Sequence, residues 1–284
     1  MAEARIPHEQ VHQDLDAHYF ADYATFTGAV RTYVARTLEQ AFRAEPNDAH
    51  RRLCIVGLHK EEFAAYEDLG AFLEAMLRWR RGELKIPFEG ILRYKDDKVA
   101  LGTLFSRRSI SSPSMLYDAL GLSEWIPSDW AYHFPTINCR AALIGICTFI
   151  VIDCANNQKH YGIDAYNRIK HGLALFLSGK KYAADLPDCL AVIITNREKN
   201  SPNPYALYAM PMSDEAIEQR GKIVEFVQAS LRALAALYVI AQYPQYFAER
   251  TSGGTDTGVF KTDRLFDVME FFSQMARKYA PNAL

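Results

Sequence analysis

Four side chains between Ala165 and Leu173 have the types and spacing to act on a phosphate ester: Asn167, Arg168, Lys170 and His171. On a helix, Asn167 and His171 are four residues apart and face the same way. Arg168 approaches His171 at a spacing of three, and Tyr166 pairs with Lys170 at a spacing of four. In such a group the imidazole transfers a proton, the cations hold the anionic phosphate and the amide orients it. Asn167 and His171 can also cap and buttress neighbouring backbone in a helical bundle, and the chemistry taken alone favours that structural use.

Two other segments match motifs literally. His8-Glu9-Gln10-Val11-His12 is an HExxH, the pattern that sets two zinc ligands and a general base on one helix, and His18 stands where a third ligand would fall. Leu15 occupies the position at which the chain would have to turn sharply, and a leucine disfavours the left-handed conformation that such a turn needs. If the helix continues instead, His18 points about 120° away from His12. A solvated N-terminal helix is the expected outcome, with no metal site. In Thr251–Gly258 the glycines Gly253 and Gly258 have phosphate-loop spacing, but Val259 stands where the lysine is required. A surface loop is expected there. The cysteines, Cys54, Cys139, Cys147, Cys154 and Cys189, include no CxxC pair and read as reduced, buried thiols. Cys147 and Cys154 lie two helical turns apart and should share a buried face. No cofactor is implied.

The stretch Tyr166-Asn167-Arg168-Ile169-Lys170-His171-Gly172 resembles the motif helix of HEPN-superfamily proteins. These are helical bundles frequent in prokaryotic toxin–antitoxin and phage-defence systems. The resemblance implies an up-and-down bundle that often dimerises through its motif helices. Active members are metal-independent ribonucleases in which an Arg stabilises the strained phosphate, an adjacent polar residue assists, and a following His transfers the proton. By position, His171 matches the family His and Asn167 the polar residue. Tyr166 stands at the Arg position, and Arg168 lies closer to the His than the pattern asks. With that departure, the resemblance implies a non-catalytic HEPN-like association module. A metal-independent ribonuclease that uses His171 as general acid or base is the alternative.

The elements that would carry these residues follow from periodicity. The chain has 284 residues, 49% of them hydrophobic and 23% charged, enough for a real core. A formal charge of −2 and a pI near 6.5 give no global attraction to phosphate backbones, so no DNA partner is expected, while RNA stays open through a local basic patch. Tyr19, Tyr23, Phe26, Val30, Tyr33, Leu38 and Phe42 predict one amphipathic helix that ends at Pro46-Asn47-Asp48. After a short apolar run, Leu53–Leu58, a second helix places Phe63, Tyr66, Leu69, Leu73 and Met76 on one side and closes before Gly82. Lys85–Phe105 leaves room for a short β element. Ser112-Pro113 marks a helix start, and Gly121 its stop.

Residues Arg140 to Asn156 predict a buried helix too short to span a bilayer, and Asp164–Leu177 predicts the motif helix, stopped by Gly179. Cys189–Thr195 reads as a strand and Tyr205–Met210 as its hairpin partner. Ser213 then caps a long helix whose seam is Ile217, Val224, Val227, Leu231, Leu234 and Tyr238. A last helix is expected over Asp263–Tyr279. The first ten residues carry no signal-peptide pattern. The expectation is therefore a cytoplasmic, mainly α protein: a helical bundle with one small β-hairpin inserted in its C-terminal half. Residues 1–135 would form a helical N-terminal region and 136–284 a HEPN-like bundle. A homodimer or a protein partner is expected, and no membrane.

Overall fold

A computed structural model describes residues 10–93, 110–126, 128, 138–154, 162–172, 174–178, 189–196 and 202–244. Helices α1 (Gln10–Asp22) and α2 (Gly28–Ala44) are joined by a π-helical stretch, Tyr23–Thr27. They are followed by α3 (Asp48–Arg80), α4 (Pro87–Leu92), α5 (Pro113–Leu120), a 3-10 turn (Leu122–Trp125) and α6 (Cys139–Thr148), which continues as a π-helix over Phe149–Cys154. Then come α7 (Gly162–Lys170), β1 (Phe176–Ser178), β2 (Cys189–Thr195), β3 (Tyr205–Pro211) and α8 (Asp214–Gln242). The fold is mainly α, and β2 and β3 form the expected antiparallel hairpin, Thr195 opposite Tyr205 and Cys189 opposite Pro211.

The chain divides into two compact units, each drawn from separate stretches of sequence. One comprises residues 1–29, 68–155 and 228–284, and the other 30–67 and 156–227. The boundary expected near residue 135 lies outside the described residues. So do His8 and Glu9 of the HExxH, the glycine-rich loop after Thr251, the helix expected over Asp263–Tyr279 and most of Lys85–Phe105, whose described start holds α4.

In the first unit, α1 turns Ala17, Phe20 and Ala21 inward, and the π-helical stretch adds Ala24. Phe20 meets Phe72 and Tyr238 edge to face, and Trp79 and Trp125 also pack on the Tyr238 ring. The Asp16 carboxylate is buried among donors: Tyr238 donates at 2.7 Å, Tyr243 at 2.9 Å and the Phe88 amide at 3.0 Å. Burial raises the Asp16 pKa, and these three hydrogen bonds oppose the rise. Helix α5 begins on Ser112, which accepts from the Met115 amide at 3.3 Å, and ends at Gly121 with φ 65°. A side chain at Gly121 would also collide with the Arg80 guanidinium, which makes a two-bond pair with Glu124 at 2.7 Å. Cys147 and Cys154 are both fully buried.

In the second unit, α2 contributes Ala35 and Phe42, and the first half of α3 contributes Ile55, Leu58, Phe63 and Tyr66. The inner face of the sheet contributes Val192, Ile194 and Met210, and the start of α8 contributes Ile217, Val224 and Val227. Ser213 caps α8 by accepting from the Ala216 amide at 3.2 Å. All six seam residues of α8 are buried. Among the described residues, α8 is the helix long and apolar enough to cross a bilayer, and 67% of its most apolar window is buried inside the protein.

Three expectations are corrected. The aromatic stripe of the first helix is not inward along its length: Phe42 is buried, but Phe26 is 75% and Tyr33 73% exposed, and Val30 is exposed too. The inward positions are mostly alanines, which allow close approach, and the π-helical stretch shifts the phase of the stripe. Leu53–Leu58 is not a separate element but the beginning of the 33-residue α3. The motif helix stops at Lys170, well before Leu177. Gly172 adopts φ 68° and returns its amide to the Ile169 carbonyl, so the chain leaves the helix and Phe176–Ser178 pairs with β2 as a third strand.

Candidate functional site

Helix α7 has an inner and an outer face, and the candidate residues divide between them. Ala165 and Tyr166 are buried. The Tyr166 ring stacks on Phe63 of α3 with centroids 5.6 Å apart, and its hydroxyl donates to Glu67 at 2.8 Å. Lys170 reaches the same carboxylate at 2.9 and 3.0 Å, and its ammonium lies 5.3 Å from the Tyr166 ring centroid. Tyr166 is thus an anchor that fixes α7 to α3.

Asn167 is exposed, and its carbonyl accepts the His171 amide at 3.2 Å. His171 is also exposed and sits just past the last helical turn. Cations suit this end of a helix, because its unpaired carbonyls carry partial negative charge. Arg168 turns to the sheet and donates to the Thr195 hydroxyl at 3.2 Å. The fold therefore brings Asn167 and His171 together on the solvent side but sends Arg168 to Thr195 and Lys170 to Glu67. No cation is held beside the imidazole by a hydrogen bond or ion pair among the described residues.

A second polar group in the same unit escapes the sequence reading. His59 and Glu62 of α3, Tyr208 of β3 and Arg220 of α8 meet beneath the sheet. The Arg220 guanidinium is hydrogen-bonded to Glu62, lies 3.0 Å from His59 Nδ1 and donates to the Tyr208 hydroxyl at 3.5 Å. An arginine has no lone pair to offer, so His59 Nδ1 is the acceptor and the proton of the neutral ring sits on Nε2. Burial, reinforced by the Arg220 charge, pushes the His59 pKa down to about 3; the Gly162 backbone favours the protonated ring, but less strongly. Nε2 itself has no partner at full hydrogen-bonding geometry. Burial pushes the Glu62 carboxyl up, and Arg220 pulls it back. Burial also disfavours the Arg220 charge, but Glu62 and Tyr208 more than compensate and hold its pKa above the ordinary arginine value.

This cluster ties α3, β3 and α8 together, and the His59 ring within it is fully buried. Its sequence signal is positional. His59 and Glu62 interrupt the stripe of Ile55, Leu58, Phe63 and Tyr66, and Arg220 falls between the seam residues Ile217 and Val224. A charge at a seam position has to find a buried partner.

Among the described residues no group of three or more His, Cys, Asp or Glu side chains could hold a metal ion. The five cysteines are free and buried, and burial raises the pKa of Cys139 to about 12, so that thiol stays protonated. Comparison with family models, curated proteins and solved structures finds no match.

Proposed function

We propose that the chain is a non-catalytic, HEPN-like helical association module, of the kind found in prokaryotic defence and toxin–antitoxin systems and working in the cytoplasm. The observation that carries this reading is the inward position of Tyr166. Where the catalytic pattern asks for a phosphate-binding arginine, the chain uses a buried ring and hydroxyl to hold two helices together. Lys170 and Arg168 are likewise engaged by Glu67 and Thr195. Among the described residues no hydrogen bond or ion pair holds a cation beside His171, and pre-positioned charge commonly supplies most of the rate enhancement in such catalysis.

One observation favours a second reading. Asn167 and His171 are open to solvent on one side of α7, as a metal-independent ribonuclease would need. Incubating the purified full chain with several RNAs in EDTA, beside His171→Ala, tests both. No cleavage by folded wild-type protein is expected. Cleavage by the wild type that is lost in His171→Ala would overturn the association reading and establish the nuclease.

A further inference from the structure

The three-stranded sheet runs in the order β1-β2-β3, so β3 is an edge. Its backbone can be followed group by group. The Asn196 amide donates to the Pro204 carbonyl, and the Ile193 amide points the other way, to the Leu175 carbonyl. Even-numbered residues of β2 therefore pair with β3 and odd-numbered ones with β1, because antiparallel ladders alternate. With Thr195 opposite Tyr205 and Ile193 opposite Leu207, the even residues of β3 face β2. Tyr205, Leu207, Ala209 and Pro211 direct their backbone groups outward.

Two of those four positions offer no open donor. The Tyr205 amide donates to the Asn203 side chain at 3.0 Å. Pro211 has no amide hydrogen. The outward donors that remain are those of Leu207 and Ala209, with their own carbonyls beside them. The strand itself, Tyr-Ala-Leu-Tyr-Ala-Met-Pro, contains no charged residue. Free edges are commonly guarded by charges, bulges or a covering element, and no strand among the described residues covers this one. On the outer face, an apolar row crosses the sheet: Leu175 (59% exposed), half-buried Ile193 and Leu207 (39% exposed), with Tyr205 (64% exposed) beside it.

We propose that a second copy of the chain pairs with this edge, β3 antiparallel to β3 about a two-fold axis at Tyr208, joining two sheets of three strands into one of six. The register follows from the open groups. An axis at Tyr208 sets Leu207 opposite Ala209 of the copy and Ala209 opposite its Leu207. Each such pair exchanges both of its hydrogen bonds, which gives four in all and uses every outward donor left open. The next position sets Tyr205 against proline, where the ladder ends. No charge opposes another across the axis, and Ala209 of the copy continues the apolar row beyond Leu207. A strand from an unrelated protein could use the same edge, but the strand's fit to itself, in hydrogen bonds, register and lack of charge, favours the second copy.

This inference rests on reading the chain as an association module and names the partner, yet the two fail separately. RNA cleavage would sink that reading, and hydrodynamics decides this one. The edge offers less than the roughly 800 Å² per partner of a standard stable interface. The dimer should accordingly be weak and dependent on concentration.

Sedimentation of the full chain across a concentration series, from low micromolar to several hundred micromolar, tests the proposal. Wild type should pass from monomer to dimer, with dissociation on the order of micromolar or weaker. Leu207→Pro removes an outward amide from each copy and leaves the bonds to β2 intact, so the dissociation constant should rise about tenfold or more. Leu207→Val, which keeps the amide, should leave it nearly unchanged. Should Leu207→Pro fail to fold, the double variant Leu207→Lys with Ala209→Lys gives the same test, because it places lysines directly opposite each other only in the dimer. A chain that stays monomeric throughout overturns the proposal and leaves the edge to another protein's strand. A dimer that survives both edge variants overturns it as well and moves the interface elsewhere.

Discussion

His59 and His171 lie in the same unit and have opposite fates. His59 is enclosed by α3, β3 and α8, accepts from Arg220 and stays neutral far below the usual histidine range. His171 stands in solvent at the end of α7, and no side chain among the described residues holds it. The sequence reading singled out His171 for its neighbours, Asn167, Arg168 and Lys170, and passed over His59. Proximity in sequence does not assemble a site. Helical twist sends Tyr166 and Lys170 to one side, Arg168 to another and Asn167 with His171 to a third. The buried cluster draws one or two residues from each of three distant segments, and burial magnifies every charge in it.

Removing Arg220 would break the contrast between the two histidines. Arg220→Met leaves the Glu62 carboxylate buried without its cation and His59 without its donor. The expected loss in urea unfolding is about 3–5 kcal/mol, because the remaining charge is uncompensated. Adding Glu62→Leu to Arg220→Met should recover much of that loss. If the double variant is no more stable than the single one, Arg220 and Glu62 do not act as a pair.

The pH dependence sharpens the same contrast. The folded state holds the His59 pKa at about 3, below its ordinary value of 6.5. Below pH 6.5 the unfolded chain takes up a proton that the folded chain refuses. The stability from this group is therefore complete above pH 6.5 and is lost as pH falls toward 3. His59→Gln keeps an acceptor for Arg220 but does not titrate, so it should flatten the stability curve in that window. An unchanged slope would mean that His59 is not the group responsible.

Smaller effects probe α7. Tyr166→Phe keeps the stack on Phe63 and removes the hydroxyl on Glu67, with an expected cost of about 1 kcal/mol in thermal or chemical unfolding. A change near zero would deprive the anchor of its energetic basis. His171→Ala, on the exposed end of the same helix, should alter stability by less than about 0.5 kcal/mol. A larger loss would mean that His171 has a structural partner.

Much of the helical framework was legible. In the α8 seam and the inner stripe of α3 from Phe63 to Met76, each residue's burial follows from its spacing; the Ser112 cap and the β2–β3 hairpin follow from local residue types. The candidate face of α7 was legible only in part. Spacing of four does set Asn167 beside His171, but nothing local says that Glu67 and Thr195 claim the cations. The first helix misled because large aromatics suggest the inner face, whereas mostly alanines make it, and a π-helical stretch between the two runs resets the phase.

Sequence alone was enough to place most of the helices, the glycines and serines that start or stop several of them, and the hydrophobic seam inside α8. These are short-range properties, set by backbone sterics, capping and the period of burial. The tertiary structure alone decided that Gly172 turns the chain into a third strand, that His59 meets Arg220 from 161 residues away, and that Tyr166 points inward. Each depends on which surfaces come together. Hydrophobic burial sets the pairing of surfaces without regard to sequence distance, and only after that pairing does a given polar side chain find itself buried with a partner or left in water.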